Sequence, residues 1–155
     1  GDQLHVRYHI RKPEDHPGQG LTEIREAFDA WCSELGNVVE MAYDPWGFRE
    51  SSEILADRGR PMVEFPQNGA RMAPASEQLY ELIVGEPPRF VWDGGEEFRT
   101  QLLSAVAAPT DRGGWRISKR KSLERIDAAV AAAMMADRAV TMRTAKPERR
   151  GAVFM

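Results

Sequence analysis

The chain has 155 residues, 42% hydrophobic and 29% charged, with a formal net charge of -3. That length supports one domain with its own core rather than two of ordinary size, and the composition excludes fibrous and disordered classes. A net negative charge excludes binding nucleic acid with the whole surface, while leaving room for local basic patches.

Leu4, Val6, Tyr8 and Ile10 alternate with His5, Arg7 and His9, so residues 4–10 read as a strand with one buried face. Residues 12–20 break the pattern, and Leu21, Ile24, Phe28, Trp31 and Leu35 then recur at helical spacing up to a stop at Gly36. Residues 37–43 form a short buried strand that runs into the turn Asp44-Pro45-Trp46-Gly47. A helix over 51–58 stops at Gly59, and residues 61–65 give the next strand. Met72, Leu79, Leu82 and Ile83 predict a helix over 70–84, with Pro74 tolerable only in its first turn.

A short strand over 89–92 leads to the turn Asp93-Gly94-Gly95, and Phe98, Leu102, Leu103 and Val106 place another helix before Pro109. Trp115 and Ile117 sit in a short extended piece. Leu123, Ile126, Val130, Ala133, Met134 and Ala136 mark a long alanine-rich helix, and the residues from Lys146 to Met155 read as a tail. Strands alternating with helices predict an α/β layered domain with a central sheet covered by helices.

Several function classes drop out. No apolar run approaches the roughly 20 residues that span a bilayer, and the amino end lacks a secretory pattern, so an intracellular chain is expected. The single cysteine, Cys32, excludes an internal disulfide and falls on an apolar helical face. His5, His9 and His16 have no second cluster of soft ligands to join, which argues against a zinc site, and no Walker-type phosphate loop is present.

Charge is polarised within the chain. Arg112, Arg116, Lys119, Arg120, Lys121 and Arg125 are opposed over that stretch only by Asp111 and Glu124. The run reads either as a solvated helix start or as a surface for DNA phosphates, although cations at a helix start oppose its dipole.

Two acids stand out. Asp44 follows a strand at its carboxyl end, where ligands bind in open α/β sheets, but Asp-Pro is also a common turn opener. Asp127 interrupts an apolar helical face between Ile126 and Val130, a costly place for a carboxylate without a cation or a metal; a salt bridge to Arg125, Arg120 or Lys121 is the alternative. Together the two acids suit a hard oxygen site for Mg2+ or Mn2+. Asp93 reads as a turn or capping residue with an accessory role open to it, Gln67 as a loop residue able to line a cleft, and Glu64 as pointing out of its strand.

The stretch Val39-Glu40-Met41-Ala42-Tyr43-Asp44-Pro45-Trp46, followed by a helix, a glycine and Met62-Val63-Glu64-Phe65-Pro66-Gln67, resembles the pattern of the nuclease domain of bacteriophage large terminase subunits. The later order is also similar: Val84-Gly85-Glu86, then Trp92-Asp93-Gly94, then Lys119-Arg120-Lys121 ahead of Arg125-Ile126-Asp127-Ala128-Ala129. The likeness covers nearly the whole chain.

The resemblance implies an RNase H-like fold, a central mixed sheet flanked by helices, in which acids on a first strand, after a later strand and on the last helix hold two divalent metals. Asp44 and Asp127 match the second and third of these. The family's first strand and its acid would precede residue 4, so the expectation is an amino-terminally incomplete domain over 1–140, its cleavage impaired or lost in this chain alone, with a flexible basic tail over 141–155. Asp2 falls in the turn between those strands and takes no metal role.

The function so implied is a metal-dependent endonuclease that cuts double-stranded concatemeric DNA, with phosphate contacts from Arg116, Lys119, Arg120 and Lys121. Its partners would be DNA and, in the full protein, an ATPase domain, the portal and the small terminase subunit, with no membrane, in the cytoplasm of the bacterial host. The alternative is a non-catalytic DNA-binding or packaging-motor assembly module left by a prophage. Another RNase H-like enzyme, a transposase or resolvase, would share the metal site but not the Tyr43-Asp44-Pro45-Trp46 context.

Overall fold

Six short strands and five helices alternate along residues 3–145, the part of the chain that the computed structural model describes; Asp2 and the tail from Lys146 onward lie outside it. The α/β class expected from the sequence is the one observed.

Strand β1 (Leu4–His5) lies parallel to β4 (Phe90–Val91), extended by a bond from the Val6 N–H to the Val91 carbonyl at 2.7 Å. The alternation read through Ile10 persists in burial, yet the ladder stops early. Its partner leaves: Gly94 takes a positive φ of 83° and the Gly95 N–H bonds the Asp93 carboxylate, turning the chain away.

Helix α1 (Leu21–Leu35) begins with the Gly20 N–H held by the Glu23 carboxylate at 2.8 Å. It ends at Gly36, whose φ of 84° suits a residue without a side chain. Cys32 is buried as expected, and burial pushes its thiol up. Strand β2 (Met41–Tyr43) pairs in parallel with β3 (Met62–Glu64), joined by α2 (Arg49–Asp57). Only three residues of the expected strand over 37–43 enter the ladder, because β3 offers three partners.

Arg58 and Arg60 clamp α1 to the end of α2. Arg60 Nε reaches Asp29 at 2.6 Å, while Arg58 spans Glu26 at 2.8 Å and Asp29 at 3.0 Å. The Arg60 guanidinium, helped by Arg58, holds the Asp29 carboxyl below its usual range, and Arg58 does the same for Glu26. A carboxyl lowered in the folded state stabilises above its unfolded pKa and loses that contribution as pH falls through the folded value. The urea midpoint is therefore expected to fall as pH drops below about 4, and Arg60→Ala is expected to flatten that dependence. An acid limb unchanged by the substitution would remove the clamp as its cause.

Helix α3 (Gly69–Val84) is capped by Asn68, whose side-chain oxygen accepts the Arg71 N–H at 3.0 Å. Contrary to the first-turn placement expected, Pro74 is the sixth helical residue. It forgoes a bond to the Ala70 carbonyl, and the helix continues because Met72, Ala75, Ser76, Leu79 and Leu82 are buried along one face.

Helix α4 (Glu96–Ser104) stops before Val106, contrary to the longer helix expected. Ala107–Pro109 instead forms β5, antiparallel to β6 (Trp115–Ile117) across a turn with Gly113 and Gly114 at positive φ. Backbone pairing with the tryptophan strand decides the conformation of residues whose own periodicity is weak.

Helix α5 (Asp127–Thr144) starts four residues later than its apolar pattern suggests. Leu123, expected on its buried face, is 101% exposed in the turn before it. The helix runs past residue 140, where the tail was expected to begin, and buries Ala129, Ala132, Ala133 and Ala136, which allow close approach to α3. No helix among the described residues is long and apolar enough to cross a membrane.

Candidate functional site

Asp44 emerges directly after β2. Its Oδ1 accepts the Trp46 N–H at 3.2 Å, and Gly47 at φ 74° completes the turn. The other carboxylate oxygen makes no hydrogen bond among the described residues. Asp44 lines an open hollow of about 650 Å3 with Trp46, Arg49, Gln67 and Asn68.

Gln67 also lines a second hollow, of about 210 Å3, with Arg116, Lys119, Arg120 and Val130, so the two adjoin. Arg116 donates to the Gln67 carbonyl at 3.4 Å, tying β6 to the end of the β3 segment. Lys119 Nζ in turn lies 2.7 Å from Asp127 Oδ1. Gln67, shared by the two hollows, and the Lys119 ion pair thus link the surroundings of Asp44 to the basic turn and Asp127.

The setting of Asp127 differs from the expected one. It is the first residue of α5, 70% exposed by its side chain, and carries no burial cost. That position favours an anion through the helix dipole. Lys119, Arg120 and Lys121 lie in a turn well ahead of the helix, so the conflict expected between cations and the dipole does not arise. Its ion pair is with Lys119 and not with Arg125, which pairs with Glu14 instead.

Glu64 points outward to Arg49 at 2.8 Å. Asp93 lines neither hollow: it holds the turn before α4 and faces Tyr8, whose phenol is raised by burial and then by that carboxylate. A Cβ at Gly95 would collide with the Tyr8 hydroxyl, so glycine there lets the two segments close. Among the described residues, no three His, Cys, Asp or Glu side chains gather closely enough to form a ready-made metal cage.

The endonuclease domain family of terminase large subunits matches residues 18–142, a span that takes in both acids and the basic turn. The chain belongs to this family. A solved structure with a similar fold is that of the large terminase of bacteriophage HK97, at a TM-score of 0.64 and 23% identity over 74% of this chain. The chain spans 24% of that terminase, and no curated protein matches it.

Within this terminase domain, the residue that seats Asp127 gave little signal in the sequence. Gln101 on α4 is 5% exposed, and its Oε1 accepts the Ala128 N–H at 2.8 Å. It satisfies one of the open donors of the first turn of α5, a duty usually given to Ser, Thr, Asp or Asn at the cap itself. Ile126, the residue before the helix, offers no such side chain. Gln101→Ala is expected to lower stability by about 1–2 kcal/mol, measured by urea unfolding. A loss below a few tenths would show that water replaces the cap.

Proposed function

We propose that the chain is the endonuclease module of a phage DNA-packaging terminase, cutting double-stranded concatemeric DNA with Mg2+ or Mn2+ held at Asp44 and Asp127. The observation that carries this reading is the linkage of the two acids to a basic turn within a domain of this family. Arg116, Lys119, Arg120 and Lys121 would grip backbone phosphates without reading sequence. Gln67, between the two ends, would line the path of the strand.

The donors suit the metal. A divalent ion of this kind is commonly bound through one or two carboxylates, with substrate phosphate and water completing its shell. Among the described residues Asp44 keeps one oxygen uncommitted, and Asp127 is exposed, paired with Lys119 and within the field of Arg125. When bound, such an ion supplies positive charge to the phosphate and a more acidic water. This chain's residues would set the geometry: Lys119 orients the Asp127 carboxylate, and the Asp44 turn fixes the other acid. In the larger protein the partners would be an ATPase domain, the portal and the small terminase subunit, in the host cytoplasm.

The ion pair that Lys119 makes with Asp127, which neutralises that acid without a metal, favours a second reading, a DNA-binding or motor-assembly module without catalysis. Supercoiled plasmid incubated with the chain and Mn2+ separates the two. Nicked and linear products that vanish with EDTA support the nuclease; salt-sensitive binding indifferent to metal, without cleavage, supports the alternative.

A further inference from the structure

Trp46 is 90% exposed, an unusual position for so large an apolar ring, and it enters none of the aromatic contacts found among the described residues. Its backbone is nevertheless held in a turn. The Asp44 carboxylate holds its backbone N–H, with Pro45 before it and Gly47 at positive φ after it. Trp46 lines the same 650 Å3 hollow as Asp44.

Polar side chains line that hollow as well. Asn68 commits its side-chain oxygen to capping α3, which leaves its amide N–H groups available. Among the described residues, Gln67 spends its amide nitrogen only on a long contact to the Met134 sulfur at 3.6 Å, and its side-chain oxygen accepts no hydrogen bond. A flat apolar ring and two amides lining one hollow, next to a basic turn, have the chemistry of a pocket for a nucleobase rather than for a protein side chain.

Resting on the nuclease reading above, we propose that this hollow takes an unpaired base beside the scissile phosphate, stacked on Trp46 and contacted at its edge by Gln67 and Asn68. A base inside a duplex cannot reach such a platform without leaving its stack. The site therefore favours places where unstacking is easy, such as pyrimidine–purine steps or distorted DNA, and imposes a cut-site preference through deformability.

The test is binding of two labelled duplexes, one with a small central mismatch bubble and one fully paired, to the wild-type chain, Trp46→Ala and Trp46→Phe in EDTA. Wild type is expected to prefer the bubble about tenfold, Trp46→Ala to lose that preference, and Trp46→Phe to keep most of it. The salt dependence should be the same for all three, because no phosphate contact is removed. A preference that survives Trp46→Ala, or wild type binding both duplexes equally, overturns the base pocket while leaving DNA binding in place. Failure of wild type to bind either duplex overturns the pocket and the nuclease reading together.

Discussion

Asp44→Asn and Asp127→Asn are each expected to lower Mn2+-dependent plasmid cleavage by more than about a hundredfold, beyond the losses typical of residues that only support a metal ligand. The amide substitution isolates charge. At position 44, asparagine keeps an oxygen that can accept the Trp46 N–H, so the turn survives while the anion is lost. At position 127 the side chain is exposed and its ion pair with Lys119 contributes little to folding. Unfolding curves close to wild type are therefore expected for both variants, and activity retained in either would remove that acid from the mechanism.

The largest effect on stability is expected from Phe98→Ala, a loss of about 3–5 kcal/mol in urea unfolding. Phe98 is 2% exposed, with Tyr8 stacked at 4.8 Å, Trp92 edge-on at 5.4 Å and Phe90 at 6.2 Å between ring centroids. Removing the ring opens a cavity where β1, β4 and α4 meet. The consequence reaches the site, because α4 also carries Gln101, which caps α5 beside Asp127. Phe98→Leu should recover much of the loss; a cost for Phe98→Ala below about 1 kcal/mol would mean the aromatic group collapses without a void.

The elements were legible where periodicity and glycine agreed. Helix α1 begins at Leu21 and stops at Gly36 because its apolar spacing and a residue able to take positive φ coincide. Legibility failed where tertiary contacts decide. Leu123 has the spacing of a helical core residue, yet it is Ile126 that is buried, and Gln101 caps the backbone at Ala128, so the helix starts at Asp127. Val106 likewise fits a helical pattern, but Ala107 pairs with Ile117 and ends it.

For the site, the strand-to-turn position of Asp44 and the density of cations from Arg112 to Arg125 were both readable. Their connection through Gln67 was not, because it joins segments distant in sequence by the side of one loop residue. Nor could the pattern show that Asp127 sits exposed at a helix start rather than on a buried face. The exposure of Trp46 was equally hidden, since an aromatic residue after Asp-Pro reads as readily as part of a core.

Direct titration of Mn2+ into the chain, alone and with a short duplex carrying non-hydrolysable linkages, tests the central claim most closely. Heat of binding that strengthens when DNA is present, and that is lost in Asp44→Asn and Asp127→Asn, is the result expected of two acids whose metal shell the substrate completes. Equal Mn2+ binding by wild type and both variants, with or without DNA, would contradict it.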